Sequence, residues 1–318
     1  MKGLSKDSAT RHEVGEDGAG QRVDNYLTKL LKGVPKSHIY RILRSGEVRV
    51  NSGRVGPEHR LQPGDQLRIP PVRVAPRARH AAPPEAGRLD AHILHEDEAL
   101  LVIDKPAGLA VHGGSGISHG VIEQLRHGRP ASSFLELVHR LDRDTSGVLM
   151  LAKKRPALTA LHEQLRAGRV QKYYLVLVHG KWRNEKQSVK LALNKYVLAS
   201  GERRVSVGED GMPSHTIFRL RQSYREFSLL EAELKTGRTH QIRVHLAHLG
   251  YPIAGDDKYG DFALNKVLAK QGLKRMFLHA RKVVIEHPRS GEEVTFEAPL
   301  PEELQSFLES LDGHAETL

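Results

Sequence analysis

Apolar residues along this chain recur with two different periods, and each change of period marks an element. In RVDNYLTKLL the apolar positions Val23, Tyr26, Leu27, Leu30 and Leu31 fall at helical spacing. A second short helix is predicted over SHIYRILRSG, capped by Ser37 and ended by Gly46. Alternation follows: Val48 and Val50 lead into an Asn-Ser-Gly hairpin turn, and LQPGDQLRIP adds a Pro-Gly-Asp turn and another strand. From Pro70 to Ala91 the chain is rich in Pro, Ala and Arg with no core-forming pattern, which predicts an extended linker.

A larger domain begins at His92. ILHEDEALLVIDKP reads as two strands about an acidic turn, and KPAGLAVHGGSG as a glycine-rich loop. That loop lacks the Gly-Lys-Ser/Thr ending of a nucleotide-binding P-loop, and no dinucleotide fingerprint follows a strand. PALTALHEQLRAG predicts a helix with Pro156 at its first position, Leu158, Leu161 and Leu165 on one face, and Gly168 at its end. KYYLVLVHG and EFSLLEAELKTG read as strands. THQIRVHLAHLG reads as a helix capped by Thr239 and stopped by Gly250, and PEELQSFLESL as an amphipathic helix with Leu304, Phe307, Leu308 and Leu311 inward. Many strands in series with few helices predict an α+β fold built on a largely antiparallel sheet.

Charge adds the first hint of a partner. Among 318 residues, 49 Lys and Arg face 38 Asp and Glu, and the net charge of +11 suits a polyanion such as nucleic acid. Between residues 36 and 54 the basic side chains Lys36, Arg41, Arg44, Arg49 and Arg54 meet one acid, Glu47, so the small helical pair is a candidate phosphate-tracking surface. The chain has no cysteine, which excludes disulfides, thiolate metal sites and a cysteine nucleophile. The polar, glycine-rich start predicts a flexible tail rather than a signal peptide, and no run of eighteen apolar residues suggests a membrane span. A cytoplasmic protein is therefore expected, and a monomer, since no self-complementary apolar stripe stands out.

Chemistry concentrates in three places. In HRLDRDTSG, Arg140 and Arg143 flank Asp142 and would hold it ionised, as nucleophilic or general-base work requires. A salt-bridged turn leading through Thr145, Ser146 and Gly147 into the strand Val148–Leu151 explains the pattern equally well. Asp142 and Asp144 invite a glycosidase reading, but the acid of such a pair needs a raised pKa and the arginines push the other way. LKTGRTHQIRVHLAHLG gathers Lys235, Arg238, Arg243, His240, His245 and His248. His245 and His248 lie three apart on a helix, but without a third ligand a metal site is disfavoured, and an anion- or RNA-facing surface suits the cluster better. Arg243 is spaced to point inward, where it needs a carboxylate; Asp142 is the obvious candidate. Tyr174 sits among aliphatic residues in KYYLVLVHG, where packing is the ordinary role of a tyrosine.

Two resemblances join these pieces. Ser37, Gly46, Val48, Val50 and Asn51, followed by Leu61, Gly64 and Asp65, resemble an S4 RNA-binding domain. HRLDRDTSG, the K-x-Y of Lys172 to Tyr174, and GRTHQIRVHLAHLGYPIAGD resemble the motifs of the RluA-type pseudouridine synthases, over residues 21 to 311. Further stretches, DKPAGLAVHGGSGISHGVIEQLR and LHEQLRAGRVQKYY among them, are similar to the branch acting on large-subunit (23S) ribosomal RNA. Asp104 is the one departure, where the family often has Asn.

The resemblance implies a long, mixed, mostly antiparallel sheet flanked by helices, with a small S4 domain in front. Implied limits are 1–20 for the tail, 21–70 for the S4 unit, 71–91 for the linker and 92–318 for the catalytic domain. It further implies conversion of uridine to pseudouridine in RNA without cofactor or metal. Asp142 would be the nucleophile, attacking either the sugar C1′ or the base, with a glycal route as a further path, and Arg243 would be its partner. Tyr174 would stack on the uracil and assist proton removal, and Arg140 would fill the space left by a flipped nucleotide. Lys172, Arg238, His240 and Gln241 would contact the RNA. A synthase acting on tRNA, or a non-catalytic RNA-binding protein of ribosome assembly, would share much of this pattern.

Overall fold

The computed structural model describes residues 8–31, 33–72, 88–113, 119–127, 129 and 134–312. The predicted linker between 73 and 87, the first seven residues of the tail and positions 114–118 of the glycine-rich loop lie outside them. The chain divides into two compact units, Met1–Ala82 and Pro83–Leu318.

In the first unit, helices α1 (Val23–Leu30) and α2 (Lys36–Arg44) pack on a four-stranded sheet of β1 (Thr10–Glu13), β2 (Arg49–Val50), β3 (Gly53–Arg54) and β4 (Gln66–Ile69), ordered β1-β4-β2-β3. The helical spacing holds: Val23, Leu27, Leu31, Ile39, Ile42 and Leu43 form one core with Leu67 and Ile69. Two details depart from expectation. Residues 10–14, expected within a flexible tail, carry a strand on the edge of β4, and Val14 is 1 % exposed in the core. Strand TRHE has only polar and charged residues, so its pairing left no hydrophobic pattern to read. Helix α2 starts two residues early, with Pro35 rather than Ser37 as the residue before its first turn. In the hairpin turn Asn51 (φ 50°) and Ser52 (φ 70°) are both left-handed, as the right-twisted two-residue hairpin demands. Asn51 pins that turn to the neighbouring one, donating to Asp65 Oδ1 at 2.7 Å and accepting from Gln66 N at 2.9 Å.

The second unit is built on an eleven-stranded sheet. Its elements are β5 (Ile93–Glu96), β6 (Leu100–Lys105), α3 (Val121–His127), β7 (Glu136–Leu137), β8 (Ser146–Ala152), α4 (Arg155–Arg166), β9 (Gln171–His179), β10 (Lys186–Val197), β11 (Arg203–Val207), β12 (Met212–Ser223), β13 (Phe227–Leu234), α5 (Gln241–His248), α6 (Phe262–Lys270), β14 (Leu278–Glu286), β15 (Glu293–Glu297) and α7 (Glu302–Asp312). The main path runs β11-β10-β12-β13-β9-β14-β8-β6-β5, with β15 beside β14 and β7 beside β8. Among the described pairs only β14 with β8 is parallel. The fold is thus α+β with a mixed, mostly antiparallel sheet.

Both faces of the central strands are covered. Odd residues of β8 (Leu149, Leu151) join Tyr174, Val176 and Val178 of β9 in one core, whereas Val148 and Met150 meet α4 through Leu158 and Leu161 in another. That is why SGVLMLA is apolar almost without interruption. No helix among the described residues is long and apolar enough to cross a membrane.

Candidate active site

Asp142 sits in the turn that feeds β8, and its placement is a matter of backbone anchoring. The Asp142 carbonyl accepts from Thr145 N at 3.2 Å and closes the turn. The side chain of Lys105, 0 % exposed, donates to the carbonyls of Pro106, Leu109 and Arg143 at 2.7, 2.8 and 2.9 Å, tying the turn to the glycine-rich loop. Burial lowers its pKa to about 7, against the pull of Asp144, Asp142 and Asp104. Arg275 donates to Asp144 O at 3.3 Å and Ser146 Oγ at 2.8 Å from the other side. Ser146 and Gly147, read from sequence as turn residues, are the first residues of β8 and form its parallel junction with β14. Gly147 has φ 109°, and a Cβ there would stand 2.2 Å from the Ala280 carbonyl oxygen, so no other residue fits.

The cation beside Asp142 is not the expected neighbour. Arg143 folds onto Asp144, with Nε 3.2 Å from Oδ1, and is more than half exposed. Arg243 instead reaches Asp142 Oδ2 with Nη1 at 3.2 Å, the contact its inward spacing suggested. Its stronger partner was missed: Asp256, 0 % exposed, takes Arg243 Nε and Nη2 at 2.7 Å each, and Asp257 adds a contact at 3.3 Å. Burial works against the Arg243 charge, but the hydrogen bonds and charges of Asp256 and Asp142 outweigh it and raise its pKa. The signal lay in GDDKYG, a pair of carboxylates a few residues beyond an inward arginine.

His240, not Thr239, precedes α5; its backbone is left-handed at φ 52° and its Nδ1 meets Tyr259 Oη at 2.8 Å. Its Nε2 lies 3.9 Å from Asp142 Oδ1. Burial lowers the His240 pKa, partly offset by the Asp142 charge. Gln241 is buried, and its amide is spent on the protein: the oxygen accepts from Thr236 Oγ1 and Arg238 N, and the nitrogen donates to His215 O and Thr216 Oγ1. These bonds shape the loop before α5. Arg238 is exposed and donates to Pro213 O at 3.1 Å. His245, weighed as a metal ligand with His248, is 0 % exposed and bonds Ser214 Oγ at 2.7 Å; burial lowers its pKa to about 4.

Tyr174 on β9 and Lys172 two residues earlier complete the floor. Tyr174 is 7 % exposed, and burial, with the nearby Asp142 charge, raises its phenol pKa. Burial lowers that of Lys172. Asp142, Tyr174, Arg243, Arg140, Lys172, Arg238, His240 and Gln241 all line one cavity of about 830 Å³, to which Leu165 and Arg166 of α4 also contribute. In the first unit Lys36, Arg41, Arg44, Arg49 and Arg54 are all exposed, although Arg41 is engaged by Glu47 at 3.0 Å.

Asp142, the buried Arg243 and the buried Tyr174 thus meet in one cleft lined also by Arg140, Lys172 and Arg238. The sequence profile of the RNA pseudouridylate synthases matches residues 99–248, and that of the S4 domain matches residues 21–67. The ribosomal large subunit pseudouridine synthase C of Pasteurella multocida (strain Pm70) is 55 % identical over 302 residues, covering 94 % of this chain and 92 % of the relative. That of Escherichia coli (strain K12) is 54 % identical over 303 residues, covering 94 % and 95 %. Among solved structures, human RNA pseudouridylate synthase domain containing 4 superposes with a TM-score of 0.57 at 27 % identity, over 71 % of this chain and 95 % of that one. The chain therefore belongs to the RNA pseudouridylate synthase family, with an S4 domain at its N-terminal side.

Proposed function

We propose that this enzyme isomerises specific uridines of large-subunit ribosomal RNA to pseudouridine, with Asp142 as the nucleophile. The observation that carries the reading is the convergence of Asp142, Arg243 and Tyr174 in one cavity of a chain so similar to synthases named for that RNA. The C1′–N1 bond breaks, the uracil turns, C5 joins C1′, and the C5 proton is lost while N1 regains one. Atoms and electrons balance within the RNA, so the reaction is proposed without cofactor or metal.

Each side chain has a physical reason for its part. Asp142 keeps Oδ1 without a hydrogen-bond partner among the described residues, while Oδ2 is held by Arg243. Tyr174 is held as the neutral phenol chiefly by burial, to which the Asp142 charge adds, and a neutral ring suits stacking on a uracil. It lines the same cavity as Asp142, where a C5 proton must be removed. Arg140 is exposed at the rim and suited to fill the gap left by a flipped nucleotide. Extruding that nucleotide costs a few kcal/mol, which phosphate contacts from Arg238, His240, Lys172 and the S4 cations offset. The domain limits given above, a monomer and a cytoplasmic location belong to the same proposal.

The test is nucleoside analysis of large-subunit RNA and tRNA transcripts after incubation with the purified protein. New pseudouridine in the large-subunit transcript alone is the expected result. Modification of tRNA alone would move the substrate to the other branch, and release of free uracil would make the protein a glycosidase.

A further inference from the structure

Arg243 is a planar fork with two edges, and the structure divides them unequally. Its Nε and Nη2 face Asp256 at 2.7 Å each, and only Nη1 is turned to Asp142, at 3.2 Å. Asp256 is itself fixed in place. Its Oδ1 accepts from Lys258 N at 2.8 Å and Tyr259 N at 3.0 Å. Asn265 on α6 donates to the Asp256 carbonyl at 2.8 Å and accepts from Gly255 N at 2.9 Å, clamping the loop from beneath. Gly255, at φ 78°, lets the loop pass so close to Arg275 that a Cβ would stand 2.1 Å from its carbonyl oxygen. The carboxylate is thus held by two backbone N–H groups and by Arg243, and the loop that carries it is fixed through its backbone by Asn265.

A guanidinium edge left free can bind a carboxylate through both oxygens; here Asp256 takes the Nε/Nη2 edge and Asp257 the remaining side of Nη2, which leaves Nη1 alone to Asp142. Asp142 held through both oxygens would have neither available for attack. We propose that Asp256 is a positioning residue for the reaction at Asp142: it occupies the Nε/Nη2 edge of Arg243 and offsets its charge, so that Asp142 is oriented through Oδ2 while Oδ1 stays free. The inference rests on Asp142 being the nucleophile. The other charged and titratable groups facing Arg243 are Asp257 at 3.3 Å and the Tyr259 ring, 5.2 Å away, from the same loop, and His240 from the start of α5. Of the carboxylates among them, Asp256 alone is fully buried.

The test compares wild type, Asp256→Asn, Asn265→Ala and Asp142→Asn in single-turnover release of tritium from large-subunit RNA labelled at uridine C5, with RNA affinity measured alongside. For Asp256→Asn the expected rate loss is about 10- to 100-fold, with RNA affinity held within about twofold. Because Asp256 acts on the orientation of Asp142 and not on RNA binding, the loss should fall on the rate and leave affinity in place. Asn265→Ala loosens the loop that carries Asp256 and should lower the rate in the same way. A rate for Asp256→Asn within about twofold of wild type, or a rate loss matched by an equal loss of RNA affinity, overturns the proposal. Should Asp256→Asn fail to fold, a wild-type rate in Asn265→Ala overturns it as well. An inert Asp142→Asn beside a fully active Asp256→Asn would remove this inference alone, whereas an active Asp142→Asn would remove the nucleophile assignment beneath it.

Discussion

The buried pair of Arg243 and Asp256 has an energetic consequence that can be measured apart from activity. Arg243 is 3 % exposed and Asp256 0 %, and they share two hydrogen bonds of 2.7 Å. Arg243→Met leaves the Asp256 carboxylate buried with two backbone N–H groups and no cation, and breaking a buried pair in this way costs about 3–5 kcal/mol. Asp256→Leu leaves Arg243 with Asp142 and Asp257, which are 28 % and 57 % exposed at their side chains. Part of its charge is still met, and the expected loss is the smaller ~1–3 kcal/mol of unsatisfied buried donors. Deleting both residues removes both charges, so the double variant should be more stable than the two single losses together imply, by roughly 2–3 kcal/mol. Against a typical total of about 5–15 kcal/mol each variant should still fold. The readout is urea unfolding followed by tryptophan fluorescence. The chain has one tryptophan, Trp182, buried in the catalytic unit, so the S4 unit does not contribute to the signal. Single losses that add to the double loss within ~0.5 kcal/mol would refute the reasoning.

Tyr174→Phe keeps the ring and removes the hydroxyl, so it should lower the single-turnover rate by roughly 10²- to 10⁴-fold while RNA affinity is unchanged; a full rate would leave Tyr174 a stacking residue only. Burial holds the imidazoles of His245 and His279 down to about 4 in the folded chain. Between the ordinary 6.5 and that value the unfolded chain takes up protons the folded one refuses, so stability falls as pH drops through this window and levels off below it. His245→Asn should shrink that acid loss by on the order of 2–3 kcal/mol, and equal pH slopes for both proteins in urea titrations would contradict it. Gly147→Ala, which forces a Cβ to 2.2 Å from Ala280 O at φ 109°, should cost about 3 kcal/mol or more, read as a lowered unfolding midpoint.

Much of this architecture was legible because the physical signal was local. The period switch at Val48, the apolar run of β8 and the helix carrying Leu158, Leu161 and Leu165 each follow from burial on known faces. The strand at Thr10–Glu13 was not legible, since an edge strand made of TRHE pairs through its backbone alone. In the site, the Asp142–Arg243 contact was suggested by an inward arginine in need of a carboxylate. What local reasoning got wrong was the division of charges: adjacency in HRLDRDTSG pointed to Arg143, but a turn sends successive side chains apart and Arg143 meets Asp144. Asp256 and Lys105 were missed for a related reason. Asp256 acts on the Arg243 side chain and Lys105 on backbone carbonyls, contacts that the spacing of the residues around them does not reveal.

The most direct test of the account is pseudouridine mapping of large-subunit ribosomal RNA from cells lacking this gene, complemented with wild type or with Asp142→Asn. Sites that vanish, return with wild type and stay absent with Asp142→Asn are the result predicted. Restoration by Asp142→Asn would contradict the nucleophile assignment, and an unchanged map would contradict the ribosomal substrate.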